Sequence, residues 1–182
     1  TAAGDQLARA AGELGLGTAD LGHPDAVDHL RHGLELCRQV DWTDGEAVTL
    51  GGLGIAYSES GQLAQAADQF HQAVALNERI GRAVGLAINL GNLGLLQLRT
   101  GQFGPALDHL TRAVDLDPDG VRHSNIPSLI NGMAQANRYL GHLQPALDQH
   151  TRALAICQEL GDVNDEAEIL SDLAVLYGQL GQ

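Results

Sequence analysis

The sequence contains no lysine, and its ten arginines stand against 23 aspartates and glutamates, giving a formal net charge of -13. The phosphate-neutralising charge that dominates nucleic-acid binding is missing, so neither nucleic acid nor an anionic membrane is expected as a partner. The same absence removes any phosphate-cradling loop of the Walker type, which needs a Lys. Aromatic residues make up 3% of the chain against 44% hydrophobic residues overall. A core must therefore be built from Leu, Ala, Val and Gly. No apolar run approaches the ~18 residues that span a bilayer, and no basic-then-apolar leader opens the chain, so a soluble, cytoplasmic protein is expected. Thr1 in place of an initiator Met is read as the mark of a piece excised from a longer protein. The absence of Lys beside abundant Ala, Gly, Leu and Arg goes with a GC-rich genome.

What is present is repetition. A shift of forty residues aligns Ala47–Gly54 with Ala87–Gly94 at five identities in eight, and Pro105–Val114 with Pro145–Leu154 at seven in ten. The register continues through Gly61, Gly101, Gly141 and Gly181. A fixed period of this length signals a solenoid or array. The first unit follows through Ala26, Asp28 and Leu36, with one residue deleted near Gly22, so that Leu14-Gly15 matches Leu53-Gly54. Within each unit the apolar residues are spaced by three and four, as in Leu50, Leu53, Ala56, Tyr57 and then Leu63, Ala66, Ala67, Phe70, Val74, which predicts two amphipathic helices. Gly at 61, 101 and 141 ends the first helix of a pair, and Pro24, Pro105 and Pro145 suit the first turn of the second. Small residues recur inside the helices at Gly15, Gly54, Gly94, Ala134 and Ala174, and again at Ala26, Ala66, Ala106 and Ala146. An interior Gly costs ~1 kcal/mol relative to Ala, so its recurrence implies close approach of neighbouring helices.

The expected architecture is an all-α solenoid, a right-handed superhelix of about four and a half helix-turn-helix units forming one domain over residues 1–182. Nine helices are predicted near 4–21, 24–39, 44–60, 63–80, 83–100, 103–116, 125–140, 143–160 and 163–180. The longest connection falls at Asp117 to Ser124, around Asp-Pro-Asp-Gly, with Ser124 or Asn125 capping the next helix.

The column pattern resembles the tetratricopeptide repeat, whose signature runs bulky–Leu–Gly–Tyr, then Ala, Phe, Ala and a closing Pro. The second unit reads Leu50, Leu53, Gly54, Tyr57, Ala66, Phe70, Ala73 and Glu78; the third reads Leu90, Leu93, Gly94, Gln97, Ala106, Leu110, Ala113 and Pro118. The fourth reads Ile130, Met133, Ala134, Asn137, Ala146, His150, Ala153 and Gln158, keeping small and apolar columns while losing Tyr, Phe and Pro. The forty-residue period exceeds the usual 34 of this repeat and is similar to that of kinesin light chains, of Pins-type polarity adaptors and of the repeat regions of actinobacterial AfsR/SARP-type and NTPase-linked transcriptional regulators. The last of these is the expected origin.

The repeats carry none of the common enzyme motifs. No G-x-G-x-x-G, G-x-S-x-G or H-E-x-x-H is present, and no nucleophile–base pair can be named, so no catalytic activity and no cofactor or metal are expected. Cys37 and Cys157 lie three repeats apart, roughly 30 Å at ~10 Å per helix layer, too far for a disulfide, and are expected reduced and half-buried. His29 and His32 share a helix face with Asp28 and Glu35 but fall short of four metal ligands and read as a solvated face. Asp28, Asp68, Asp108 and Asp148 recur near the start of the second helices, where carboxylates complement the helix dipole and Asp108–Arg112 and Asp148–Arg152 have i,i+4 spacing. The acidic run Glu159, Asp162, Asp165, Glu166, Glu168 and Asp172 reads as solvated surface or as a patch for a basic partner.

The resemblance implies a groove, lined by the first helices, that holds peptides, helices or neighbouring domains. Projected from the Leu53 and Leu93 columns, that face carries Val48, Gly51, Gly52, Ile55 and Ser58, then Ile88, Gly91, Asn92, Leu95, Leu98 and Arg99, then Ser128, Asn131, Gln135 and Arg138, and finally Glu168, Ser171, Asp172 and Val175. The first half is apolar and the second polar. A non-catalytic interaction module within a bacterial transcriptional regulator is expected, with a small-ligand sensor as the alternative. The fifth unit ends after one helix carrying Leu170, Leu173, Leu176, Tyr177 and Leu180; some of these columns pack back on the fourth unit and the others are expected to seek cover, in a homodimer or against the rest of a parent chain.

Overall fold

The computed structural model of the protein describes residues 2–23, 25–116 and 125–181. Among these there are nine α-helices and no β-strand: α1 (Ala2–Ala19), α2 (Ala26–Gln39), α3 (Thr43–Glu59), α4 (Leu63–Ile80), α5 (Ala83–Arg99), α6 (Phe103–Leu116), α7 (Ile126–Tyr139), α8 (Leu143–Leu160) and α9 (Val163–Leu180). Every boundary lies within two residues of the sequence expectation. Pro24, Ser124 and the expected Asp117–Ser124 connection lie outside the described residues. The packing divides into two compact units, residues 1–89 and 90–182, with the boundary inside α5.

The turns explain why each helix stops where it does. Gly61, Gly101 and Gly141 adopt φ of +76°, +76° and +83°, and the next N–H closes back five residues: Gln62 to Tyr57, Gln102 to Gln97 and His142 to Asn137, each at 2.8 Å. This satisfies a helix-terminal carbonyl that would otherwise be orphaned. Gly81 and Gly161 end α4 and α8 in the same way. Asp41 holds that position after α2 with φ +54°, and Trp42 N–H reaches Cys37 O at 2.9 Å. Pro105 and Pro145 sit in the first turns of α6 and α8. Asn125 is the N-cap of α7, but its side chain makes no capping bond.

In the first unit α1, α2, α3 and α4 pack in succession, and α1 also touches α3. Leu30 is fully buried between two glycines, since a Cβ built on Gly17 would lie 2.5 Å from its Cγ and one on Gly52 would lie 3.1 Å from its Cδ2. The contact glycine of the first unit is thus Gly17; the expected Gly15 is exposed with nothing nearby. Phe70 lies flat over Gly54. In the second unit Leu110 meets Gly94, Leu129 meets Gly91, and α7 packs against α6, α8 and α9. Ala174 is exposed. Cys37 and Cys157 are free thiols that are fully buried rather than half-buried, and burial pushes both pKa values up.

Only Asp28 of the aspartate ladder falls in a first helical turn; α4, α6 and α8 carry no acid there. The dipole argument therefore applies to one member of four, because the effect fades beyond the first turn. Asp68 instead accepts from Gln69 and Gln72, at 2.9 and 2.8 Å, and Asp148 from Gln144 at 2.9 Å.

Glycines with and without a seated neighbour give opposite expectations. Gly54→Ala places a methyl against the Phe70 ring and is expected to destabilise by ~1–3 kcal/mol through overpacking. Gly15→Ala meets nothing and is expected to stabilise by up to ~1 kcal/mol from helix propensity. Urea unfolding of both variants checks the pair; equal shifts of the same sign contradict the packing account.

Candidate interaction site

In the first unit the face projected from the Leu53 column is shallow. Gly51 and Gly52 are buried, Val48, Ile55 and Ser58 are half-buried, and on α5 Val84 and Ile88 are exposed, at 39% and 41%. Gly51 is covered by Asn89, whose Nδ2 donates to Gly85 O at 2.8 Å and whose buried Oδ1 has no hydrogen-bond partner. A Cβ on Gly51 would lie 2.7 Å from that oxygen. Gly85 is in turn covered by Asn77, which donates to Ala73 O at 2.8 Å and also leaves its Oδ1 unpaired. Two buried amide oxygens thus rest on glycine backbones, where a weak Cα–H contact is the available partner.

In the second unit Asn92, Leu95 and Leu98 are half-buried and Arg99 is exposed. Leu95 and Leu98 close over Gly132, each with a methyl about 3 Å from where a Cβ would sit, so they serve packing as well as surface. The polar members converge on α9. Ser128 Oγ donates to Asp165, Gln135 Nε2 donates to Asp172 Oδ2 at 2.7 Å, and Asn131 Nδ2 reaches Glu168 and Asp172 at 3.4 and 3.3 Å. Asp162 caps α9 by accepting from the backbone of Asn164 and Asp165, both at 3.1 Å, and Glu166 accepts from Gln158 at 2.9 Å. The acidic run is therefore stitched to the neighbouring helices by neutral donors and is more than solvated surface. A pocket of about 230 Å³ opens here, with Leu95, Gly132 and Ile169 as apolar lining and Ser128, Gln135 and Glu168 as polar lining. Arg138 is half-buried with its guanidinium 4.4 Å from the Tyr139 ring, and Tyr139 stacks on Phe103 at 4.3 Å. Ser171 and Val175 are exposed.

One pair behind this face was not singled out from the sequence. His150 is completely buried, and its Nδ1 lies 2.7 Å from Asn131 Oδ1. The signal was available in the repeat register: Phe70 and Leu110 occupy the His150 column, and Gly51 and Gly91 occupy the Asn131 column. Two polar departures coincide in one unit.

His29 is half-buried and His32 exposed, as a solvated face requires, but both also have a partner. Glu13 of α1 bridges both, with His29 Nδ1 at 2.8 Å from one carboxylate oxygen and His32 Nδ1 at 3.0 Å from the other. The hydrogen bond to His29 is the main influence lowering the Glu13 pKa, and the reciprocal bond to Glu13 is the main influence raising that of His29. Among the described residues no group of three or more His, Cys, Asp or Glu is arranged to hold a metal ion, and no helix is long and apolar enough to cross a membrane.

Helix pairs repeating at forty residues, with large side chains seated on small residues inside each unit, define an all-α helical-repeat protein. Residues 47–80 match the tetratricopeptide repeat. Among solved structures, BtubC from P. vanneervenii is similar, with a TM-score of 0.71 at 18% identity, covering 100% of this chain and 85% of its own. A Podospora anserina protein described as kinesin light chain with nearly identical TPR-like repeats gives 0.67 at 19% identity, over 96% and 88% of the two chains. Aspartyl phosphate phosphatase F from Bacillus subtilis gives 0.79 at 17% identity, over 90% of this chain but 44% of its own. At these identities the likeness is one of fold. No curated protein matches the chain in sequence.

The Glu13 clamp makes a signed pH prediction. A raised His29 pKa contributes stability below the ordinary value of 6.5, lost as pH rises through the folded value. A lowered Glu13 pKa contributes stability above 4.5, lost as pH falls through its folded value. The clamp is therefore strongest between about pH 4.5 and 6.5. Glu13→Gln is expected to lower the denaturation midpoint more at pH 5.5 than at pH 8.5, read by urea unfolding; an equal or larger loss at pH 8.5 contradicts it.

Proposed function

We propose that the chain is a non-catalytic protein-interaction module that holds a peptide, a helix or a neighbouring domain on the faces of its first helices. The observation that carries this reading is the uneven finish of those faces. The second helices turn mainly charged and amide side chains outward, Leu160 at the end of α8 apart, whereas the first helices leave Val84 and Ile88 exposed in one unit and a pocketed amide–carboxylate surface in the other. Exposed apolar surface beside ordered polar groups is what a recognition site requires. The match of residues 47–80 to the tetratricopeptide repeat supports the same reading. In its finer form, the module serves a cytoplasmic bacterial transcriptional regulator and binds a protein partner or another domain of the parent chain; the Lys-free composition supports that origin.

The test is site-specific photo-crosslinking in the expressing cell. A photoreactive residue at 88 or at 135 is expected to capture a protein partner, whereas the same residue at 65 or 144, exposed on second helices, is not. Equal capture at all four positions, or none at 88 and 135, overturns the reading. Ile88→Glu is expected to change stability by less than ~0.5 kcal/mol, as surface substitutions do, which separates lost binding from lost fold.

Self-association belongs to the same proposal. On α9, Leu170, Val175 and Tyr177 are 48%, 49% and 40% exposed, and Val163 at its start is 70% exposed. Light scattering is expected to show concentration-dependent dimers that Leu170→Glu suppresses; a strictly monomeric chain at high concentration argues that water suffices there.

A further inference from the structure

His150 occupies a column that the repeat otherwise fills with a large apolar side chain, and it is fully buried there. Its bonding fixes its protonation. Asn131 Nδ2 faces two carboxylates, Glu168 and Asp172, so its other terminus, 2.7 Å from His150 Nδ1, is the carbonyl oxygen. A carbonyl only accepts, so Nδ1 carries the hydrogen and the neutral ring leaves its lone pair on Nε2. Nε2 is buried and has no hydrogen-bond partner. A second proton has one place to go, and in that place the new N–H finds no acceptor while a charge enters the interior.

We propose that the His150–Asn131 pair is a proton-controlled latch beneath the polar face of the second unit. The neutral imidazole holds the Asn131 amide aimed at Glu168 and Asp172; protonation at Nε2 leaves Nδ1–H in place but puts an unpartnered N–H and a charge in the interior, so the ring quits its seat and takes the Asn131 contact with it, and the face is ordered at neutral pH and disordered in mild acid.

The groups facing His150 set the direction. Burial is the largest influence and lowers the pKa; Asp172 on α9 opposes it, and Arg138 on α7 reinforces it. The ring therefore stays neutral at neutral pH and takes up its proton below the ordinary value of 6.5. Asn131 is the connecting part. It is 4% exposed, touches the buried ring with one end and the carboxylates with the other, and shares Asp172 with Gln135, which donates to the same oxygen at 2.7 Å. Loss of the Asn131 position is thereby passed to Asp172 and Gln135 at the surface. The proposal rests on the reading of this face as the binding site only for its consequence, pH-dependent partner capture; the latch itself is measurable without a partner.

The test follows the side-chain amide signals of Asn131 and Gln135 and the ring signals of His150 by NMR on the full chain from pH 8.0 to 4.5. The two amides are expected to shift with the His150 ring at one midpoint below 6.5. In His150→Leu, which restores the residue found at position 110, the Gln135 shift over that range is expected to vanish while the helical content at pH 7.5 is retained. Asn131→Gly, matching Gly51 and Gly91, keeps the titrating ring but is expected to uncouple Gln135 from it. Amides that move unchanged in His150→Leu show that the carboxylates titrate by themselves and overturn the latch. So does a ring that stays neutral until the whole chain unfolds. If the latch holds and crosslinking at residue 135 captures nothing at any pH, the binding reading fails and the latch stands.

Discussion

The structure depends on one kind of contact, a large apolar side chain seated on the backbone of a neighbouring helix where glycine leaves room for it. Phe70 on Gly54, Leu110 on Gly94 and Leu30 between Gly17 and Gly52 are instances of it. With only 3% aromatic residues, the chain cannot fill wide gaps between helices with big rings, so the gaps must be narrow. Narrow gaps need small residues, and each interior glycine costs ~1 kcal/mol of helix propensity. Close packing offsets that cost, since dispersion falls away steeply with even a fraction of an ångström of separation. The consequence shows in α3, which buries ten of its 17 residues, including the unbroken run Leu50–Gly54. A helix buried on so many sides cannot read as strongly amphipathic, and first helices of this kind are recognised by their neighbours more than by their own pattern.

Where that contact changes, polar chemistry enters. In the fourth unit the seated side chain is His150, and the glycine of the Gly51 and Gly91 column is Asn131. A buried imidazole needs a partner, and a buried amide needs several; each supplies the other, and the amide's remaining hydrogens go to the carboxylates of α9. Satisfying one buried polar group thus recruits the next outward until the network reaches solvent. In the first unit the equivalent solution is incomplete, for Asn77 and Asn89 donate within their own helices and rest their oxygens on Gly85 and Gly51.

Helix positions were legible because a forty-residue register repeats the same evidence, so that Gly61, Gly101 and Gly141 could be read together. Registers read least well where they are broken. The deletion before Gly22 made Gly15 look like the contact glycine, while the structure seats Leu30 on Gly17. Asp41 escaped notice because the turn wants a left-handed residue and Asp, though tolerated there, is common elsewhere. The candidate face was legible as a face: periodicity from Leu53 and Leu93 led to Ile88, Asn131, Gln135 and Asp172. The partners of those side chains were not, because a hydrogen bond between positions 131 and 168 depends on how α7 and α9 pack, which no spacing along the chain encodes. The Glu13 bridge to His29 and His32 is the same case, a contact between helices that a single-helix view of the two histidines could not contain.

The carboxylates of α9 illustrate what neutral donors do that arginines would not. Ser128, Asn131 and Gln135 position Asp165, Glu168 and Asp172 without cancelling their charge. Arginine in those positions would have formed ion pairs and extinguished the local field. Held by amides and a hydroxyl, the acids keep both their geometry and their contribution to a chain that carries a net charge of -13. Such a field acts on the approach of a partner over about one Debye length, ~8 Å at physiological salt, and so governs the rate of encounter more than the strength of the final contact. On the reading proposed for this face, strength would come from its half-buried aliphatic side chains, Leu95 among them. On that reading the division of labour follows from composition: a chain with few cations and few aromatics offers carboxylates for steering and aliphatic side chains for adhesion.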